Sequence, residues 1–533
     1  MKPNKLITDN PELLNYITDT LHITVLGGIK FTGLDRLKVT LKLVAKSNTQ
    51  NVFRHNVDLY NTIQTGQLIE RASAFLDIAT DKVNQVITEL TTALETYRAE
   101  HLESLKPKVQ EKVQLTEAQR KAAISFLKSS DLLKHTKQSI AQSGIIGEET
   151  NALIAYLIYT SRKRVMPLHL MCLGASGTGK TWLQEKVGEL IPEEDKLEIT
   201  TLTTNAFYYF GKDELKHKLL LIEDLDGAEN VLYPLRELQS KRKISKTVTL
   251  KDSKGNLKTV TINVEGPVCV SGCTTREELY EDNANRCMLL YMDNSKEQDA
   301  RIMEYQRQLS AGHIDQLEQN KVKEQLKNVQ RVLQNITVRN PYATYLKLPD
   351  EVFKPRRTML LLLLFIETVT YYHQYQRELK TDVSTGEKYI ESTIADIEGA
   401  LTLLELTLLK KSDELNDACR NFFERLKTWL KLQGTENFYS KDIRSALRLS
   451  HSSMQRYLTE LERLNYVKII KGNRYKGFEY KVSNWNDLEQ LQNKSKEMIK
   501  GVLDHIQSIT SSPPVAHTGN ELLNSQKKRK NRQ

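Results

Sequence analysis

The chain has 533 residues and a mass of 61.3 kDa, too much for one ordinary domain, so about two to four are expected. Hydrophobic content of 39% and charged content of 27% describe a soluble globular protein, and a net charge of +10 with a pI near 9.0 suits a polyanionic partner such as nucleic acid. Cys172, Cys269, Cys273, Cys287 and Cys419 are odd in number and lack paired C-x-x-C spacing, which excludes a disulfide framework or zinc site and points to a reducing cytoplasm.

No membrane segment is expected. The longest purely apolar run, Met359–Ile366, falls far short of the roughly 20 residues a span needs, and the N-terminus has no signal-peptide apolar region. Residues 1–102 read as an accessory domain. Strand-like runs at His22–Val25 and Leu37–Leu43 precede helical periodicity from Gln67 to Tyr97. The charged stretch 103–117, with Pro107, reads as a linker. Helices are expected from Ala118 to Arg162 as the lead-in to a core spanning 118–294, and a helical region follows over 295–411. A compact module occupies 417–485. Residues 510–533 read as a disordered basic tail ending in Lys527, Lys528, Arg529, Lys530 and Arg532.

The core opens with an apolar strand, His169–Leu173, that runs straight into GASGTGKT, Gly174–Thr181, and then a helix. Strand, loop and helix in that order form the Walker A arrangement. Gly174, Ser176, Gly177, Thr178 and Gly179 let backbone N–H groups curl around phosphates. Lys180 is expected to reach the β- and γ-phosphates and Thr181 to ligate Mg2+, so ATP and Mg2+ are the expected cofactors. A second buried strand, Leu219–Ile222, ends in Glu223-Asp224, with Asp226 nearby. One carboxylate at such a strand end holds the metal and its neighbour polarises the attacking water. The usual order is Asp then Glu, and here it is reversed. Glu223 is assigned to the metal and Asp224 to the water, with Asp226 as the alternative.

A third strand, Pro267–Gly272, leads to Thr274 and Thr275, either of which can orient the lytic water; Thr275 is preferred. Arg286 precedes the apolar run Cys287–Met292. There a ring-forming ATPase presents an arginine to its neighbour's nucleotide, an effect typically worth ~10³–10⁵ in rate.

Between the second and third strands, Ile244–Val264 has two Thr/Val-alternating arms around a turn at Gly255, a β-hairpin made basic by Lys246, Lys251, Lys254 and Lys258. This placement resembles the pre-sensor-1 hairpin of superfamily III and minichromosome-maintenance helicases. The resemblance implies an AAA+ hexamer whose hairpins grip DNA through Lys251, Lys254 and Lys258. The motifs GASGTGKT, LTTNAFYYFG, DELKHKLLLIED and NANR also resemble the helicase part of phage and mobile-element primase-helicases. That likeness covers much of 20–380 and implies replication of a mobile element. It includes no zinc ribbon and leaves no room for a primase domain, so a separate primase would supply primers. By the same likeness Arg356 or Arg357 would act as sensor 2, with Arg357 preferred. Protein-remodelling activity is disfavoured, because no channel aromatic motif is evident and Tyr208-Tyr209 lies elsewhere in the sequence.

Phe438–Val482 reads as a winged helix. Ser440–Leu447 forms one helix, Ser450 caps a second that presents Ser452, Ser453, Gln455 and Arg456, and Arg474 sits at a basic wing tip. The expected architecture is α/β: a P-loop core of AAA+ type with a small N-terminal α+β domain and a C-terminal winged helix. The expected function is a DNA helicase or translocase on single-stranded or forked DNA. The alternative is an ATP-switched DNA-binding loader or regulator that does not unwind.

Overall fold

The computed structural model describes residues 5–31, 35–105, 113–174, 176–200, 205–225, 232–251, 257–275, 285–293, 295–348, 354–473 and 477–511. The chain divides into two compact units, Met1–Glu111 and Lys112–Gln533.

In the first unit five antiparallel strands follow one another in order, β1 (Lys5–Ile7), β2 (Leu13–Ile17), β3 (Leu21–Leu26), β4 (Lys38–Ala45) and β5 (Asn48–Asp58). Every second residue of β2, β3 and β4 is buried, as the two-residue side-chain period requires of a sheet covered on one face. The cover is α1 (Thr62–Leu76) and α2 (Thr80–Leu105), which contribute Leu68, Ile69, Ala72, Val83, Ile87, Leu90 and Leu94 to the same core. Asn61 caps α1 by accepting from the N–H groups of Ile63 and Gln64. Helix α2 continues to Leu105, past residue 103 where a linker was expected, and is described to within two residues of Pro107.

The second unit begins with α3 (Glu117–Leu127), α4 (Leu132–Gln142) and α5 (Glu149–Thr160). The chain then builds a five-stranded parallel sheet from β6 (Leu170–Leu173), β7 (Lys196–Ile199), β8 (Lys218–Ile222), β11 (Val268–Thr274) and β12 (Met288–Tyr291), in the spatial order β12-β6-β11-β8-β7. Helix α6 (Lys180–Gly188) follows β6, and α7 (Leu232–Lys241) precedes a two-stranded ribbon, β9 (Lys243–Lys251) and β10 (Leu257–Glu265). Alternate strand residues enter two separate cores. Leu170, Cys172, Leu219 and Leu221 face α5 and α6, while Met171, Leu173, Leu220 and Ile222 face α7 and the hairpin root. Burial on both faces explains why these strands read as continuous apolar runs.

Beyond the sheet come α8 (Lys296–Ser310), α9 (Gln316–Val332), α10 (Pro355–Tyr372) and α11 (Ile394–Ser412). The region expected to be helical also holds a small sheet, with β15 (Lys388–Glu391) between β13 (Thr337–Arg339) and β14 (Lys380–Thr381). Strands of two to four residues are too short to impose a readable alternation.

The C-terminal module comprises α12 (Asp417–Gln433), β16 (Asn437–Tyr439), α13 (Ser440–Leu447), α14 (His451–Arg463), β17 (Val467–Asn473) and β18 (Gly477–Val482), with the strands in the antiparallel order β16-β18-β17. Its core gathers Phe422, Phe423, Leu426, Ile443, Met454, Leu458 and Leu461. A last helix, α15 (Asp487–Ser511), was not anticipated. It packs on α11 and sends Val502 and Ile506 into the main core. Among the described residues no helix is long and apolar enough to cross a membrane.

Candidate nucleotide and DNA-facing site

The C-terminal ends of the parallel strands create the site. β6 stops at Leu173, the loop follows, and α6 starts at Lys180. Gly177 and Gly179 hold φ values of +81° and +83°, a left-handed backbone that glycine alone adopts without strain. At Gly174 a Cβ would lie 2.8 Å from Thr178 Oγ1, so the loop could not close over a side chain there. No side chain caps the N-terminus of α6, which leaves its first amide groups directed at the loop. Lys180 is buried, and its Nζ donates to Gly174 O at 2.8 Å. Ser176 is exposed, and Thr178 and Thr181 are half-buried. Uncapped amides, glycines in the required conformation and an adjacent ammonium fit a nucleotide phosphate chain. When bound, Mg-ATP would be held by these amides, Lys180 and Thr181.

Strand β8 delivers Glu223 and Asp224, both exposed. The Glu223 N–H donates to Ile199 O at 3.2 Å, and the Leu225 N–H donates to Cys273 O at 2.9 Å, so the acidic pair is tethered to a neighbouring strand on either side. Glu185, one turn beyond Thr181, has a carboxyl raised above its ordinary range, first by burial and then by the charge of Glu223. Asp226 lies outside the described residues. Among the described residues no group of three or more His, Cys, Asp or Glu is gathered to hold a metal ion. Magnesium shared between a hydroxyl, a carboxylate and phosphates does not require one.

β11 is hydrogen-bonded to β6 on one side and β8 on the other, so its end opens between the P-loop and the acidic pair. Thr274 pairs with Leu173 and is buried, whereas Thr275 is exposed. Arg286 is half-buried, and its Nε donates to Ser240 Oγ at 2.7 Å. It precedes β12, whose first residue, Met288, is level with Leu170. Tyr291 is level with Leu173 at the P-loop end of the sheet, and Arg286 stands five residues earlier, roughly 16 Å back along the strand direction at ~3.3 Å per residue. Arg356 is exposed and Arg357 half-buried at the N-terminus of α10. No hydrogen bond joins Arg357 to the P-loop among the described residues.

The hairpin pairs from Glu265↔Lys243 to Leu257↔Lys251, with Lys258 opposite Leu250. For Lys251 and Lys258 only the backbone is described, and Lys254 lies outside the described residues. At the root, Lys246 Nζ donates to Asn205 Oδ1 at 2.7 Å and stands 5.4 Å from the centroid of the Tyr208 ring. The turn carrying these groups, Ala206–Tyr209, is anchored by the fully buried Phe207, while Tyr209 is 72% exposed. Tyr208 is far from the hairpin in sequence yet lies against its root in space.

In the C-terminal module Ser450 Oγ accepts from the Ser453 N–H at 3.1 Å, and Ser452, Gln455 and Arg456 are exposed on α14. The Arg456 guanidinium lies 5.2 Å from the Tyr457 ring centroid; Arg474 lies outside the described residues.

Two features escaped the sequence reading. One is the turn Gly144–Glu148 beside the end of β12, where Glu148 accepts from the Asp293 N–H and from Asn151 Nδ2, each at 2.5 Å. The other is Gln184, buried beneath the P-loop helix. Four residues after Lys180 it falls on the same helical face, and a polar residue on an inward face was the available signal.

Residues 112–336 match the family described as the MTBMA_p00010 P-loop domain. No curated protein matches in sequence. Among solved structures, a candidate ATPase of Cytophaga hutchinsonii is 15% identical, over 54% of this chain and 97% of that one, with a TM-score of 0.31. A full-length MCM homolog of Methanopyrus kandleri is 13% identical, over 56% and 62%, with a TM-score of 0.35. Drosophila ORC bound to DNA is 12% identical, over 74% and 98%, with a TM-score of 0.23. At these scores none of the three bears on what this chain does. Residues 112–336 match a P-loop domain, and the parallel sheet and glycine-rich loop within them fit nucleotide binding.

Proposed function

We propose that the chain is an ATP-dependent DNA helicase or translocase that works as a hexameric ring in replication of a mobile genetic element. The observation that carries this reading is the hairpin β9–β10. It is rooted on the P-loop domain where Lys246 meets Asn205 and Tyr208, and it runs directly into β11, the strand that ends between the P-loop and Glu223-Asp224. A tool connected to that strand can move with the state of the nucleotide site. Lysines along it would grip phosphates with little regard to sequence, and Tyr209 offers a base-stacking surface at its foot.

In this reading Gly174, Ser176, Gly177, Thr178 and Gly179 seat the phosphates, Lys180 offsets their charge, and Thr181 and Glu223 hold magnesium. Asp224 draws a proton from the attacking water, which Thr275 orients. Bound Mg-ATP supplies the phosphoanhydride whose cleavage drives the motion. Arg286, which precedes the start of β12 while the P-loop follows the end of β6, suits a site on the next subunit, and Arg357 would serve as sensor 2. Lys251, Lys254 and Lys258 would contact DNA within the ring. The C-terminal module is read as a winged helix that presents Arg456 and Arg474 to DNA, and the first unit as an accessory domain. Sequence likeness to mobile-element primase-helicases supports membership of the pre-sensor-1-hairpin clade and a separate primase as partner.

The test compares wild type with Lys180→Ala for ATP hydrolysis, with and without single-stranded DNA, and for unwinding of a forked duplex at low salt. DNA-stimulated hydrolysis and Lys180-dependent unwinding support the helicase. Hydrolysis with no fork opening refutes it and leaves an ATP-switched loader or regulator.

A further inference from the structure

We infer that Gln184 is a positioning residue that sets the distance between the P-loop helix and the acidic pair; this rests on reading the chain as an ATPase. Gln184 lies on the second turn of α6, four residues after Lys180, and is 2% exposed. Its Nε2 donates to Ile222 O at 3.0 Å, and its Oε1 accepts from Ser271 Oγ at 2.9 Å and from Cys273 Sγ at 3.4 Å. Because a carbonyl can only accept, Ile222 O fixes which end of the amide is the nitrogen. With the Ser271 proton committed to Gln184, the fully buried Tyr159 on α5 donates to Ser271 Oγ at 2.9 Å.

The carbonyl of Ile222 belongs to the same peptide group as the Glu223 N–H. That N–H donates to Ile199 O on β7, so the peptide bearing Glu223 is held at both ends, by a strand on one side and by Gln184 on the other. One side chain therefore links the helix of Lys180 and Thr181, the strand end of Glu223 and the strand that leads to Thr274 and Thr275. A purely structural filler of this volume would not need an amide. Burying one costs free energy unless it is hydrogen-bonded, and here both its nitrogen and its oxygen have partners.

The test uses the full chain with Gln184→Met, which keeps length and loses the hydrogen bonds. Mg-ATP affinity, read with a fluorescent analogue, should stay within about threefold, while kcat falls about ten- to a hundredfold, as misplacement of about 1 Å does. In nucleotide-free protein, amide exchange at Glu223 should quicken by about tenfold or more, because its peptide group has lost one of two anchors. Ser271→Ala removes the Ser271 bond to Gln184 and with it the Tyr159 arm, yet leaves the Ile222 and Cys273 bonds, and should keep kcat within about threefold. Gln184→Glu gives a pH signature. The protonated acid can donate to Ile222 O and the carboxylate cannot, so its kcat relative to wild type should fall as pH rises.

A Gln184→Met kcat within about twofold of wild type, or Ser271→Ala losing as much kcat as Gln184→Met, overturns the inference. Should Gln184→Met not fold, a Gln184→Glu profile parallel to wild type overturns it equally. Absence of ATP hydrolysis in wild type defeats the ATPase reading instead, and amide exchange in nucleotide-free protein then still decides the role of Gln184.

Discussion

Gly147→Ala is expected to be among the most damaging single-methyl changes in the second unit. Gly147 has φ +64°, and a left-handed alanine costs ~1–2 kcal/mol. Its new Cβ would come 2.0 Å from Gln298 Oε1, 2.3 Å from Nε2 and 2.4 Å from Cδ. Gln298 is only 2% exposed, and its Nε2 donates to Ile146 O at 3.0 Å. Moving it aside leaves that carbonyl unpaired, adding ~1–3 kcal/mol, so the total is ~2–5 kcal/mol. At roughly 1 °C per kcal/mol for a unit of this length the thermal midpoint should drop by about 2–5 °C in a calorimetric scan. Gln298→Ala clears the space but not the backbone strain. In the double mutant, then, Gly147→Ala should cost only the ~1–2 kcal/mol of the φ term. A midpoint within about 1 °C of wild type, or strictly additive single and double mutants, would refute this account of the turn.

Three further outcomes are expected. His169 is buried, its ring accepts from the Val270 N–H at 3.3 Å, and burial lowers its pKa to about 4. Against an unfolded value of ~6.5, up to about 3 kcal/mol of stability should be lost as pH falls from 6.5 to 4, and His169→Gln should lack that slope in urea titrations. Arg286→Ala should retain nucleotide binding and lose ~10³-fold or more in hydrolysis, and mixing it with Lys180→Ala should restore some turnover. No restoration in mixed oligomers would count against action across subunits. Tyr209→Ala should weaken single-stranded DNA binding by ~1–3 kcal/mol and leave the salt slope unchanged, measured by anisotropy at several salt concentrations. A changed slope would mean that the mutation had disturbed phosphate contacts instead.

Much of the second unit was legible because its signals are local. The P-loop follows an apolar strand within a few residues, and the two arms of the hairpin alternate around a glycine turn. Strands buried on both faces, such as Val268–Thr274, stand out as apolar runs. What stayed hidden depends on contacts remote in sequence. Nothing near Tyr208 announces that Lys246 will lie against it, 38 residues on. Gln184 meets Ile222 and Ser271 only once three strands have assembled. Helix α15 was missed because its polar residues outnumber its apolar ones, and only Val502 and Ile506 are fully committed to the core. The helix α2 boundary failed for a different reason, since charged residues continue a helix as readily as they form a linker.

The five cysteines have a practical consequence. None forms a disulfide and all are buried, and burial pushes the Cys269 and Cys419 thiols well above their ordinary range, so thiolate is scarce at neutral pH. Reagents that require an accessible thiolate should pass over the native protein. A cysteine introduced at an exposed position such as Tyr209 or Gln455 would then be the one reactive handle, which opens the chain to single-site dyes or spin labels without first deleting its own sulfurs.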